Sequence, residues 1–361
     1  MRVVLQVAKF TGVSLVVLFV VGIGAILLYR AYRLHVTAEA IAIHSPTGID
    51  EAMYVKIGGI DQWIQIRGQD RSNPVLLCLH GGPGGTWLPL TALFVPWEKE
   101  FTVVQWDQRG AGKTLEATGA SVADTMSVDR MAQDGIEVAE FLRTHLHKDK
   151  IVLLGHSWGS ILGIEMARKR PDLFYAYVGT GQVGDMPRSL QIGYAHALQR
   201  ARATDDADAV KELESIGAPP FDSLEEVERY FKVLETYEAE SDRTAVSSSG
   251  LLIFAAPGFS LWDIYNRFRG LSGIPTWRLY KEILAADPSS SGLDFKIPVF
   301  FFQGSEDDVT PAPLVADYFE KILAPHKEMV LFEGEGHFVV WSAPAGFLHE
   351  LVTRVRVRAL R

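Results

Sequence analysis

Phe10 to Tyr29 is an apolar run of about twenty residues whose only polar members are Thr11 and Ser14. As a helix rising about 1.5 Å per residue, it matches the roughly 30 Å hydrocarbon core of a bilayer. Arg2 and Lys9 flank it on one side, Arg30 and Arg33 on the other. A cleaved signal peptide carries a shorter apolar region with a small-x-small site behind it, and Ile26-Leu27-Leu28-Tyr29-Arg30 is no such site. Residues 1–35 therefore read as an uncleaved single-pass anchor and 36–50 as a tether. A signal peptide and a buried core helix are the alternatives. The flanking charges are nearly balanced. With the terminal amine counted, they put the N-terminus inside and the globular part outside the cytoplasm.

Further along, the runs shorten and alternate. Glu51–Ile57 and Ile60–Ile66 read as two strands joined at Gly58-Gly59, a hairpin. Val75–Leu79, Phe101–Trp106 and Ile151–Leu154 are continuous apolar runs, which suit central strands buried on both faces. Between the last two, Val128, Met131, Ala132, Val138, Ala139 and Leu142 share one helical stripe. A helix over Ser160–Arg170 and a strand at Tyr175–Gly179 follow. Strands alternating with helices predict an α/β fold, with a mostly parallel sheet covered by helices on both faces and an antiparallel edge from the hairpin.

From 185 to 294 the pattern turns helical and polar, first acidic (Asp205 to Glu240), then rich in aromatics. Alternation resumes with a strand at Ile297–Phe302, a helix at Pro311–Leu323, a strand at Glu328–Phe332 and a helix at Ala343–Val357. The expected division is a core in two parts, 51–184 and 295–361, with a helical cap over 185–294. Phe259, Trp262, Tyr265, Phe268 and Trp277 are expected either to line an apolar pocket under the cap or to pack the cap itself.

Composition narrows the chemistry only a little. A net charge of -9 argues against a nucleic-acid partner, which needs a basic face. The single cysteine, Cys78, excludes an intrachain disulfide framework and any multi-cysteine metal site.

The sharpest local signal is Gly155-His156-Ser157-Trp158-Gly159, a Gly-x-Ser-x-Gly between a strand and a helix. That context defines a nucleophile elbow, a tight strained turn that exposes a serine hydroxyl at the top of a sheet. Serine needs a base, and among 10 histidines His337 is singled out by position: it lies in Gly334-Glu335-Gly336-His337-Phe338, just beyond the last predicted strand. In a parallel sheet that loop shares a rim with the elbow. His349, inside a predicted helix, and His326, before the last strand, fit the role poorly.

The orienting acid is expected after the preceding strand, where Gly-x-x-Asp-x-x-Thr-Pro selects Asp307; Asp308 is the competitor and Glu306 the next. The order Ser157, Asp307, His337 is that of the α/β-hydrolase fold. An oxyanion hole requires two backbone N–H donors. One is Trp158, directly after the nucleophile. The other comes from His80-Gly81-Gly82-Pro83-Gly84-Gly85, with Gly82 the choice, Gly81 the alternative and His80 a support for the loop. Gly110-Ala111-Gly112-Lys113-Thr114 imitates a phosphate loop, but Asp107 stands where the first glycine is needed. No metal or other cofactor is expected.

Three motifs together, His80-Gly81-Gly82-Pro83-Gly84-Gly85, Asp107-Gln108-Arg109-Gly110-Ala111-Gly112 and Gly155-His156-Ser157-Trp158-Gly159-Ser160, resemble the proline iminopeptidase branch of the α/β-hydrolase superfamily. The resemblance spans roughly 50–180 and 295–345. It implies Ser157, Asp307 and His337 as a triad beneath a helical cap, and a short peptide as substrate, cleaved at its N-terminal residue. It also implies that cap glutamates hold the substrate's free amine. Glu212, Glu214, Glu225, Glu226, Glu228, Glu235, Glu238 and Glu240 are the candidates, and no local motif chooses among them. The expected activity is hydrolysis of an amide or ester through an acyl-enzyme by a membrane-tethered aminopeptidase. An esterase or acyl-amide hydrolase on apolar substrates is the alternative, and a non-catalytic binding protein on the same fold is the alternative from another class.

Overall fold

The computed structural model describes residues 2–271 and 273–360, and the side chains of these apart from 2–9, 268–271 and 274–276. The apolar run forms helix α1 (Arg2–Ala40), whose large apolar side chains from Phe10 on are exposed. Phe10–Ala40 is long and apolar enough to cross a membrane. Two features differ from the expected layout. The helix continues to Ala40, and residues 41–48 are fastened to the globular part. Ile41 O accepts from the Arg67 guanidinium, Thr47 O accepts the Arg71 N–H at 2.9 Å, and Gly48 O accepts Arg71 Nε at 3.1 Å.

Among the described residues eight strands form one sheet: β1 (Ile49–Ile57), β2 (Ile60–Gly68), β3 (Val75–Leu79), β4 (Thr102–Trp106), β5 (Ile151–His156), β6 (Phe174–Thr180), β7 (Val299–Gly304) and β8 (Lys327–Phe332). Their order is β1-β2-β4-β3-β5-β6-β7-β8, with β2 antiparallel to both neighbours and all later pairs parallel. The β1–β2 turn is tight because Gly58 and Gly59 both take positive φ, 57° and 81°, as a two-residue hairpin of this hand requires. Strands β3, β4, β5 and β7 are buried at every residue, which is why they read as unbroken apolar runs. Strand β8 closes the edge and is only partly covered.

The helices that bear on the site are α2 (Thr91–Phe94), α3 (Gly112–Thr118), α4 (Val128–Leu146), α5 (Trp158–Lys169), α6 (Met186–Ala203), α7 (Ala207–Ile216), α8 (Leu224–Tyr237), α9 (Glu240–Phe254), α10 (Leu261–Leu271), α11 (Ile274–Leu284), α12 (Ala312–Lys321), α13 (Val339–Ser342) and α14 (Pro344–Glu350). Helix α4 shows how the local rules act. Ser127 caps it by accepting the Arg130 N–H, a contact of about 1 kcal/mol, and His147 ends it in the left-handed region at φ 53°. Its stripe of Met131, Ala132, Val138, Ala139 and Leu142 is buried against the sheet's larger core, while Leu76, Val152, Phe300 and Phe347 belong to the second core. Each fully buried large apolar side chain contributes roughly 1.5–3 kcal/mol. The single terminal helix expected at Ala343–Val357 is instead broken, with Pro344 at the start of α14 and a π-turn over Leu351–Arg356.

The chain steps outward from β3 to β4, then back past β3 to β5. Loops after β3 and β5 therefore diverge at their carboxyl ends and leave a crevice, the position where open α/β sheets hold ligands. Helices α6 to α11 are inserted between β6 and β7.

Candidate active site

Ser157 links β5 to α5 with φ 53° and ψ -120°, a conformation that a side-chain-bearing residue adopts at a cost of about 1–3 kcal/mol. The turn closes only because both flanking glycines lack a Cβ. One built on Gly155 would lie 2.5 Å from Gly159 O, and one on Gly159 would lie 2.2 Å from Leu79 O. The Ser157 N–H donates to Thr180 O at 3.0 Å, and its carbonyl accepts Ser160 Oγ at 2.6 Å.

His337 lies in the turn after β8 and is buried. Its Nδ1 donates to Asp307 Oδ2 at 2.9 Å. Asp307 also accepts the N–H groups of Val309 (2.9 Å) and Thr310 (2.7 Å), Thr310 Oγ1 (2.7 Å) and Gln303 Nε2 (2.8 Å). Burial pushes this carboxyl up, but His337 and these donors outweigh it and hold it below its ordinary value. Conversely, burial pushes His337 down, while Asp307, Asp242 and Glu238 outweigh it and raise the imidazole above its ordinary value. Asp308 is engaged elsewhere, accepting from His196 Nδ1 at 2.9 Å and from the Arg200 guanidinium, and Glu306 is exposed.

The structure brings Asp307 and His337 into contact and sets the elbow beside them, through His156, which donates Nε2–H to His337 O at 3.1 Å. No hydrogen bond joins Ser157 Oγ to His337 Nε2 among the described residues. Such bonds are often open before substrate arrives. The glycine loop rests on the elbow, since a Cβ on Gly81 would come within 3.2 Å of Ser157 Cβ. Gly82 has φ 119°, and neither its N–H nor that of Trp158 has an acceptor among the described residues.

Gln108 and Asp242 carry no signal of their own in the chain, whereas His80, Arg109 and Lys113 stand in motifs already noted. Gln108 clamps the glycine loop to the elbow helix: its Nε2 donates to His80 O at 3.2 Å and its Oε1 accepts Trp158 Nε1 at 2.9 Å. Burial drives the His80 pKa down to about 4, so the ring is neutral, with Nδ1 donating to Gly81 O at 2.8 Å. Asp242 reaches down from α9 and accepts the N–H groups of His337 (2.6 Å) and Phe338 (2.8 Å). Gly336 leaves room for it, because a Cβ there would sit 2.0 Å from Asp242 Oδ2. Arg109 is structural: buried, it donates to Asp134 at 2.8 Å, to Thr125 Oγ1 at 2.8 Å and to Gly58 O at 2.9 Å. Lys113 is no phosphate ligand; its N–H donates to Asp107 Oδ2 at 2.7 Å and its ammonium lies over the Trp63 and Phe259 rings.

A cavity of about 500 Å³ opens between α9 and the His337 turn, lined by Glu240, Thr244, Ser248, Gly334 and Trp341. Ser157, Asp307 and His337 do not line it. Among the described residues, Trp262, Tyr265 and Trp277 meet neither expectation for the aromatic set, a pocket lining or a packed cap. Phe259 packs on Leu88 and Ala256, whereas Trp262, Tyr265 and Trp277 face outward, and the side chain of Phe268 lies outside the described residues.

Residues 74–344 match the family described as alpha/beta hydrolase fold. A probable aminopeptidase of Bacillus subtilis is 30% identical over 309 residues, 84% of this chain and 95% of that protein. The proline iminopeptidase of Saccharolobus solfataricus is 23% identical, with 82% of this chain and 90% of that protein covered. Among solved structures, a proline iminopeptidase-related protein from Thermus thermophilus superposes with a TM-score of 0.62 at 19% identity, covering 86% of this chain and 98% of that one.

Proposed function

The chain belongs to the α/β-hydrolase fold family, and from that premise we propose that it is a serine hydrolase acting on the N-terminal residue of short peptides. The observation that carries the mechanism is the Asp307–His337 hydrogen bond beside a serine held at φ 53°. Ser157 Oγ attacks the scissile carbonyl carbon as its proton passes to His337 Nε2. The oxyanion is received by the free N–H groups of Trp158 and Gly82. His337 then protonates the departing amine. Water, deprotonated by the same imidazole, cleaves the acyl-enzyme and restores Ser157. Asp307 fixes the tautomer and stabilises the imidazolium throughout.

The aminopeptidase reading draws on the named relatives and on Glu238. Among the candidate glutamates, Glu238 stands out. Burial pushes its carboxyl up to about 7, the His337 charge opposes this, and Asp242, Glu235 and Asp307 add to it. Its charge coupling to His337, Asp242 and Asp307 supports a place for it near the candidate triad, and the inserted helices act as the cap in this reading. Glu212 and Glu214 are instead paired with Arg229 (2.6 Å) and Arg202 (2.8 Å). An ionised Glu238 supplies the counter-charge for a substrate ammonium. Helix α1 serves as a membrane anchor, with the hydrolase outside the cytoplasm.

Aminoacyl-arylamides set against p-nitrophenyl esters test the bond, and a fluorophosphonate probe tests the nucleophile. Ser157→Ala is expected to lose the label and roughly 10⁴-fold or more in turnover with its fold unchanged. Normal turnover by that variant would overturn the mechanism, and hydrolysis of esters alone would overturn the aminopeptidase assignment.

A further inference from the structure

Helix α10 is turned inside out. Leu261, Trp262 and Tyr265 share a face about 100° wide, and they are 48%, 58% and 50% exposed. Two of its charges, Asp263 and Arg267, lie on the opposite face, which points into the protein. The Asp263 side chain is 10% exposed and lies 3.8 Å from Lys113 Nζ, and Arg267 donates to Thr86 O. A surface helix in water does the reverse. Leu251 near the end of α9 and Trp277 in the first turn of α11, the helices on either side in the chain, are also exposed. Isolated exposed apolar residues mean little, but paired aromatic rings 5.1 Å apart on a helix that turns Asp263 and Arg267 inward do not arise from lack of polar groups.

Helix α1 identifies what covers this face. Arg30 is the first charge after the apolar run, and in a spanning helix a flanking arginine marks the headgroup level. Its Nε donates to Phe254 O at 3.0 Å, and a terminal guanidinium nitrogen donates to Phe259 O at 2.5 Å. Those carbonyls end α9 and precede α10, so Leu251, Leu261 and Trp262 lie within three residues of that level. Tryptophan and tyrosine concentrate at this depth because their rings have an apolar body and a polar edge.

We propose that the outward surface of α9, α10 and α11 rests in the phospholipid headgroup layer of the bilayer that α1 crosses. The hydrolase then sits cap-down on the membrane instead of hanging from a leash. This inference rests on the reading of α1 as an anchor.

An environment-sensitive nitrobenzoxadiazole label, attached through Trp262→Cys or Tyr265→Cys in the full chain, tests it in phosphatidylcholine–phosphatidylglycerol vesicles. Buried Cys78 stays unlabelled in the folded protein. Leu18→Cys reports the anchor and Lys211→Cys an exposed helix position. Labels at 262 and 265 are expected to shift to the blue and to lose roughly half their emission to shallow doxyl lipid, with Lys211→Cys little affected. Quenching of Leu18→Cys by deep doxyl lipid without quenching at 262 or 265 would overturn the docked surface and leave the anchor standing. Absence of quenching at Leu18→Cys, with release of the protein by alkaline carbonate, would overturn the anchor and the docked surface with it. A blue shift at 262 without doxyl quenching would assign the face to a second protein copy and overturn the lipid contact.

Discussion

His337 is held from two sides, by Asp307 through its ring and by Asp242 through its backbone. Both carboxylates favour the imidazolium, so the base loses its proton above the ordinary histidine range. The sign follows: in the proposed mechanism the neutral imidazole is the active base, so kcat/KM is expected to rise with pH through this raised pKa. Asp307→Asn is expected to move that limb to lower pH while cutting kcat by about 10⁴. Asp242→Asn keeps one acceptor oxygen, so it is expected to lower kcat by only about tenfold and to move the limb the same way, whereas Asp242→Ala falls further. An unmoved pH limb would reduce Asp242 to packing. Burial pushes the Glu238 carboxyl up to about 7 and a peptide amine titrates near 8, so the KM for free-amine substrates is expected to be lowest between roughly those values. Glu238→Gln should raise that KM and leave N-acylated ester substrates unaffected, as initial rates over pH would show.

The elements were readable wherever chemistry is local. Ser157, Gly82, Asp307 and His337 each sit in a short motif whose spacing is imposed by one turn, and a turn can be read without the rest of the fold. Asp242 could not be found this way, because its partner is 95 residues distant and its only trace is a glycine at 336. Gln108 lay inside a noted motif, but its bond to Trp158 exists only once β3, β4 and β5 are neighbours. The aromatic stripe of α10 misled for the opposite reason: apolar periodicity tells which residues share a face, not which way the face points. Glycine contacts give a direct test at this scale. Gly159→Ala drives a Cβ into the Leu79 carbonyl, backbone that cannot move aside, and is expected to cost about 1–3 kcal/mol or more in a thermal melt and to abolish turnover.

For the molecule as a whole, α1 is joined to the hydrolase by Arg30 and by chain continuity through residues 41–48, which Arg67 and Arg71 fasten down. Arg30→Ala in the full chain removes the bonds to Phe254 O and Phe259 O. Faster amide exchange confined to α9 and α10 is the expected result, read by hydrogen–deuterium exchange with mass detection. The candidate site has the opposite layout, scattered along the chain from Gly82 to His337, with its base carried by the turn after the edge strand β8. A chain leaves the ribosome N-terminus first. The would-be anchor is therefore made before any part of the candidate site, and the His337 imidazole after all the rest of it. A nascent chain that ends between Ser157 and His337 holds the candidate nucleophile without its base. In the proposed mechanism such a chain cannot cut other growing polypeptides, so the order of translation itself delays hydrolysis.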